Sequence, residues 1–370
     1  MHAAFCLCAT GGGRFARDRT AALRSSSCQR RGRSLMRRLL LWLTLLLGCA
    51  WGSVARAADT CTVSMTNIDF GTVSPISGTD YVAQATGTFS CLFSSLNLGQ
   101  LLTPNAQVCI SLGLGTNSTS ALPRKLGNGS KRIEYNVYVD SSYTTAKIWG
   151  GAGVTGAPAT FGLILSAGLL APPGTYSTTF TVYAKIPAGT ALAAVPTVAN
   201  ANTVYTSSFA GQGTYTYTTY GLVNLQGCSA SSGSFGFTVN ATAVNDCTIT
   251  ASPMAFANAS ILTGNLRSTS TLSVRCVNNN AYQIALNGGS VAANVANRQM
   301  KNSLTTDKVS YLLSSALDGP LWGDGTAGTS MVTGTGTGAS VPLTIYGRVP
   351  AQVSPRPGDY KDTVTATIYF

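Results

Sequence analysis

The residues able to do covalent chemistry in this 370-residue chain are chiefly its ten cysteines. Cys6, Cys8, Cys28 and Cys49 precede residue 58; Cys61, Cys91, Cys109, Cys228, Cys247 and Cys276 follow it. None of these six stands in a C-x-x-C pair, and the single histidine is His2, so neither a redox motif nor a zinc site is spelled out. An even set behind a secretory leader points instead to disulfides formed in an oxidising compartment. General acid–base chemistry lacks its parts as well. Glu134 is the only Glu, Asp318, Asp324 and Asp359 are scattered among turns, and no Ser sits in G-x-S-x-G. The run "TGTGTGAS" at Thr333 lacks the GK[ST] ending of a phosphate loop. Asp318 and Asp324, either side of Trp322, are open to two readings, a cation site or a solvated turn. The expectation is a protein without catalysis, metal or cofactor.

Residues 1–57 read as a leader. Arg37-Arg38, the apolar run Leu39 to Leu47 and the small-residue site Ala55-Arg56-Ala57 make a signal peptide of residues 36–57, cleaved near Ala57. A start at Met36 would exclude residues 1–35. Leu46-Leu47-Gly48-Cys49 offers a competing outcome, a lipid on Cys49. Residues 1–58 hold ten Arg and one Asp, so they carry nine of the formal +12 charges. The rest is nearly balanced, and no basic face for nucleic acid follows.

The elements that must position the six cysteines repeat. "CTVSMTNIDFG" from Cys61 matches "CTITASPMAFA" from Cys247, and the next cysteines, Cys91 and Cys276, follow at similar spacing. "RKLGNGSKRIEYNVYVD…IWGGAG" from Arg124 parallels "RQMKNSLTTDKVSYLLSS…LWGDGTAG" from Arg298. A fourth pairing sets "PPGTYSTTFTVYA" (Pro172) against "RPGDYKDTVTATIYF" (Arg356). Short alternating runs separated by Gly-, Ser- and Pro-rich turns predict an all-β chain of two tandem β-sandwiches. The expected division is 58–227, a 228–246 linker or donor-like strand, and 247–370. By the repeat, Cys61–Cys91 and Cys247–Cys276 each staple one domain, which leaves Cys109 and Cys228 to pair by elimination.

With these motifs the chain resembles the spore coat protein U domain family, pilin-like subunits of archaic chaperone–usher pili. The resemblance rests on the two C-T-[VI] starts, the Cys about thirty residues on, the W-G turns and the terminal "GDYKDTVTATIYF". It implies immunoglobulin-like, pilin-type sandwiches, the C-terminal one lacking its last strand. It also implies a periplasmic chaperone that lends that strand, an outer-membrane usher, and a next pilin subunit whose donor strand replaces the chaperone's. The tandem form, with almost nothing ahead of Cys61 and a last strand ending at Phe370, is similar to a tip subunit. Surface attachment and biofilm formation are the implied function. A minor pilin or coat component without adhesion, or a secreted carbohydrate-binding module or hydrolase, are the alternatives.

Two apolar loops enlarge the first copy. One carries Leu92, Phe93, Leu96, Leu98, Leu101 and Leu102; the other carries Ile186, Leu192, Val195 and Val198. Both read either as fingers that bind an abiotic or host surface or as caps folded onto the core. The Tyr-rich run from Tyr205 to Tyr220 reads as a strand pair. Ahead of Cys247, Phe235, Phe237, Val239, Ala241 and Ala243 alternate as one face of a donor-like strand. That strand is open to two allegiances, completing the first domain or opening the second.

Overall fold

The structure, a computed structural model, describes residues 59–94, 103–224 and 227–370. The leader with Cys49, and Leu96, Leu98, Leu101 and Leu102, lie outside these residues.

Apolar residues at every second position give strands with one buried face, and the strands assemble into two sandwiches. The first uses β1 (Thr60–Met65), β2 (Ile68–Val73), β3 (Tyr81–Phe93), β4 (Asn105–Leu112), β5 (Arg124–Asn128) and β6 (Lys131–Tyr138). It continues with β7 (Phe161–Ser166), β8 (Gly174–Ile186), β9 (Thr203–Ser208), β10 (Gly213–Tyr220), β11 (Ser231–Phe235) and β12 (Thr238–Ala243). An eight-stranded sheet, β1-β3-β8-β6-β5-β9-β12-β2, faces a four-stranded one, β11-β10-β4-β7.

The second sandwich is built from β13 (Cys247–Ala251), β14 (Leu266–Cys276), β15 (Ala281–Leu286), β16 (Arg298–Asn302) and β17 (Lys308–Ser314). To these it adds β18 (Val332–Thr335), β19 (Val341–Val349), β20 (Tyr360–Lys361) and β21 (Ala366–Tyr369). Its sheets run β13-β14-β19-β17-β16-β20 and β18-β15-β21.

Register makes the repeat explicit and corrects its last anchor. β3 pairs with β8 as β14 pairs with β19, so Gly174–Ile186 matches Val341–Val349 rather than the terminal segment. The terminal strands β20 and β21 correspond instead to β9 and β10, because each pair joins the same neighbours. The Tyr-rich run is therefore the counterpart of "GDYKDTVTATIYF". Cys61 and Cys91 lie directly opposite on β1 and β3 and are bridged, as are Cys247 and Cys276 on β13 and β14. Cys109 on β4 is bridged to Cys228, which anchors the entry to β11.

The segment expected as a linker supplies two strands of the first sandwich. β11 pairs with β10, and β12 lies between β9 (antiparallel) and β2 (parallel).

Candidate functional site

Each sandwich is pinned by a buried Arg–Trp pair. Arg124 donates through Nη2 to the carbonyls of Trp149 at 2.6 Å and Gly113 at 2.8 Å, and the Trp149 indole donates to Ile110 O at 3.1 Å. In the second copy Arg298 Nη2 donates to Trp322 O at 2.9 Å and Leu286 O at 3.0 Å, and the Trp322 indole to Ile284 O at 2.9 Å. Burial lowers the Arg124 pKa to about 10, still far above neutrality, so the cation is held by carbonyl dipoles. The W-G turns are thus structural. Asp318 nearby pairs with Arg267 and Arg348, and Asp324 accepts from Thr326, so both carboxylates are engaged in turns. Among the described residues no cluster of His, Cys, Asp or Glu is arranged to hold a metal.

The donor-like residues all reach the first core. Phe235, Phe237, Val239, Ala241 and Ala243 are buried, and Phe237 stacks between Trp149 (centroids 6.3 Å, 5°) and Phe209 (4.8 Å, 11°). Burying a Phe or Val side chain is worth roughly 1.5–3 kcal/mol, so the segment from Phe235 to Ala243 is a main contributor to the first sandwich.

The same place in the second sandwich is an open groove. Its larger sheet stops at β20, and among the described residues no strand stands where β12 and β2 stand in the first. Residues 253–259, the counterpart of β2, belong to no strand. Between them and residues 354–361 lies a groove of about 850 Å³, lined by Met254, Phe256, Met300, Val309, Val349 and Tyr360. Matching the cysteine starts, the Arg-led hairpins and the strand registers puts these on Ile68, Phe70, Leu126, Ile133, Ile186 and Tyr205. All six are buried in the first sandwich, whereas Met254, Phe256, Met300 and Tyr360 are half-buried in the second.

The two apolar loops, read either as fingers or as caps, part company. Leu92 is exposed on the edge of the first loop, but Phe93 is buried against Tyr176. Ile186, Leu192 and Val195 are also buried, and only Val198 remains exposed. The reason is that Ile186 ends β8 and Leu192 and Val195 fold back onto the first core, while the loop that follows the short helix α1 (Thr190–Ala193) lies where the sandwiches meet. Pro196 bridges to Asn278, Asn278 Nδ2 donates to Ala194 O at 2.8 Å, and Thr197 Oγ1 donates to Asn280 Oδ1 at 2.8 Å. Gly338 (φ +73°) passes so close to Ala193 O that a side chain there would collide with it.

The opposite pole carries apolar residues that sequence reasoning missed. Phe93 opposes Gly174, and Asn105 opposes both Ser166 and Tyr220, so these strand ends, residues 167–173 and residues 221–224 lie at one end. Leu169, Leu170, Leu222 and Val223 are each about 70% exposed there. Their signal was apolar pairs inside turn sequences, "AGLLAPPG" and "YGLVNLQG".

The described residues thus form one closed and one open copy of the same all-β sandwich, in tandem. The chain belongs to the Spore Coat Protein U domain family, whose model matches residues 50–196 and 233–367. It is 35% identical over 150 residues to Protein U of Myxococcus xanthus, covering 39% of this chain and 77% of that protein. Weaker likenesses join it to two solved structures. One is the CsuC–CsuE chaperone–tip adhesion subunit pre-assembly complex from archaic chaperone–usher Csu pili of Acinetobacter baumannii (17% identity, TM-score 0.48, 84% of this chain and 100% of that one). The other is the CupB6 tip adhesin of Pseudomonas aeruginosa (10%, TM-score 0.34, 84% and 94%). The family assignment stands on the two sequence matches.

Proposed function

We propose that this chain is an exported adhesive subunit of a chaperone–usher pilus, assembled by strand donation. The first sandwich is closed by its own β12. The second takes an extended strand from another polypeptide, first a periplasmic chaperone and then, at the outer-membrane usher, the next pilin subunit. The observation that carries this reading is the contrast between Ile68, Phe70, Leu126 and Tyr205, buried under β12, and Met254, Phe256, Met300 and Tyr360, half-covered beside the groove. An uncovered sheet edge of this kind invites aggregation, which is why a chaperone would be needed. The pole bearing Leu169, Leu170, Leu222 and Val223 would attach to an abiotic or host surface by burying apolar area and so support biofilm formation.

The test is co-expression with the chaperone of its own secretion system. The free chain should aggregate, and the pair should purify as a stable complex. A linker and a copy of residues 233–244 appended after Phe370 should remove that dependence. A chain that is monomeric alone, with a melting temperature untouched by the appended strand, would overturn the proposal.

A further inference from the structure

We infer that the groove of the second sandwich selects its strand by a bulky–small–bulky pattern at alternate positions, different from the pattern the first sandwich uses. This rests on the reading of the groove as a strand acceptor and adds which strand fits.

In the first sandwich the inward residues of β12 are Val239, Ala241 and Ala243. Ala241 opposes Tyr205 on one side. On its other side the pairing with β2 is interrupted at Phe70 and Gly71. Ala243 opposes Thr203 and Val73. Both alanines are fully buried, so the space there is used up.

Transferring this register to the second sandwich gives different surroundings. The position of Ala241 lies between Tyr360 and Phe256, so the two aromatic flanks are kept and only Ala or Gly fits. The position of Ala243 lies between Gly358 and Ala259, both smaller than Thr203 and Val73, and both line the groove. A larger apolar side chain is needed to fill it. The position of Val239 faces Met254 in place of Ile68, and a thioether adjusts to a bulky partner. The occupant would run parallel to residues 254–260 and antiparallel to β20, as β12 runs along β2 and β9.

The experiment refolds the full chain in the presence of fluorescent peptides of sequence GSFGFTVNATAV (residues 233–244), with binding read by anisotropy. Ala243→Leu in the peptide should tighten binding about tenfold or more, because it adds apolar contact in a roomy site. Ala241→Leu should weaken it about tenfold, because it overpacks the aromatic pair. Phe256→Ala in the chain should restore binding of the Ala241→Leu peptide. Equal affinities for the three peptides, or tightest binding of the Ala241→Leu one, would overturn the pattern while leaving the groove as an acceptor. Failure of every peptide to bind would defeat both.

Discussion

Thr197 Oγ1 donates a 2.8 Å hydrogen bond to Asn280 Oδ1, and both side chains are buried where the two sandwiches meet. Asn280 also donates to Asn245, which binds Asn200 O at 2.9 Å, while Asn200 Oδ1 accepts from Ala281 N at 3.2 Å. The asparagines from both sides thus close a small polar network over the chain crossing at residues 244–246. Asn280→Leu should strip the buried Thr197 hydroxyl and the half-buried Asn245 amide of their partner and cost about 1–3 kcal/mol. Small-angle scattering should show a broader range of overall dimensions, and proteolysis near residue 245 should speed up. Unchanged scattering and cleavage would mean the network does not hold the junction.

A second prediction concerns the buried arginines. Arg124→Lys and Arg298→Lys keep the charge but lose the fork that reaches two carbonyls at once. Each should lower unfolding free energy by about 2–3 kcal/mol in denaturant titrations, through acceptors left unpaired in the interior. Equal stability of the lysine variants would show that the pairing with the W-G turns is dispensable.

The disulfides should differ in weight. Cys109–Cys228 closes a span of 119 residues, whereas Cys61–Cys91 closes one of 30. On the chain-entropy account, removing the first pair as serines costs about 4–5 kcal/mol and removing the second about one less. The Cys109–Cys228 pair also anchors the start of β11, so its loss should expose Phe235 and Phe237 to solvent, visible in their hydrogen-exchange protection.

Asp80 gives a pH dependence. Its carboxylate accepts from Ala188 N at 2.8 Å and pairs with Lys185 at 3.2 Å, and these hold its pKa below the ordinary 3.8. A depressed folded-state pKa stabilises the fold above the unfolded value and is lost as pH falls through the folded one. Asp80→Asn should therefore lower the melting temperature at neutral pH, with the gap to the parent closing in acid below 3.8. A gap that persists unchanged in acid would assign the effect to packing instead.

The exposed pole can be tested apart from folding. Leu169→Ser with Leu170→Ser, and Leu222→Ser with Val223→Ser, alter side chains that are mostly in water, so stability should move by less than about 0.5 kcal/mol each. Attachment to hydrophobic plastic should fall severalfold. Full attachment by both variants would remove this pole from the adhesive surface.

Much of this was legible from spacing alone. The two cysteine starts, the Arg-led hairpins and the W-G turns identify the duplicated sandwich, because a disulfide between adjacent strands and a buried Arg–Trp pair each require fixed residue types. The fourth anchor misled because a PG turn followed by an alternating run looks alike on any strand, and only hydrogen-bond register separates Gly174–Ile186 from the terminal segment. The loop holding Ile186, Leu192 and Val195 stayed open between finger and cap for another reason. Apolar residues in a Pro/Gly-broken segment look the same in sequence whether they stand in water or, as here, fold back onto the core beneath them. Leu169 and Leu222 were hidden by the converse, apolar residues in segments that read only as turns.

The placement of β12 bears on how the molecule carries load. The chain leaves that strand at Ala243 and enters the second sandwich at Cys247, so tension between the two would pull β12 along its own axis. Its ladders to β9 and β2 flank it on both sides, and such a pull stresses those bonds in shear, all together, rather than peeling them one by one. A strand that joins two bodies and is also clasped inside one of them makes the link as hard to extract as the core it fills. Resistance to force is then set by an unfolding rate, not by the equilibrium stability of either sandwich.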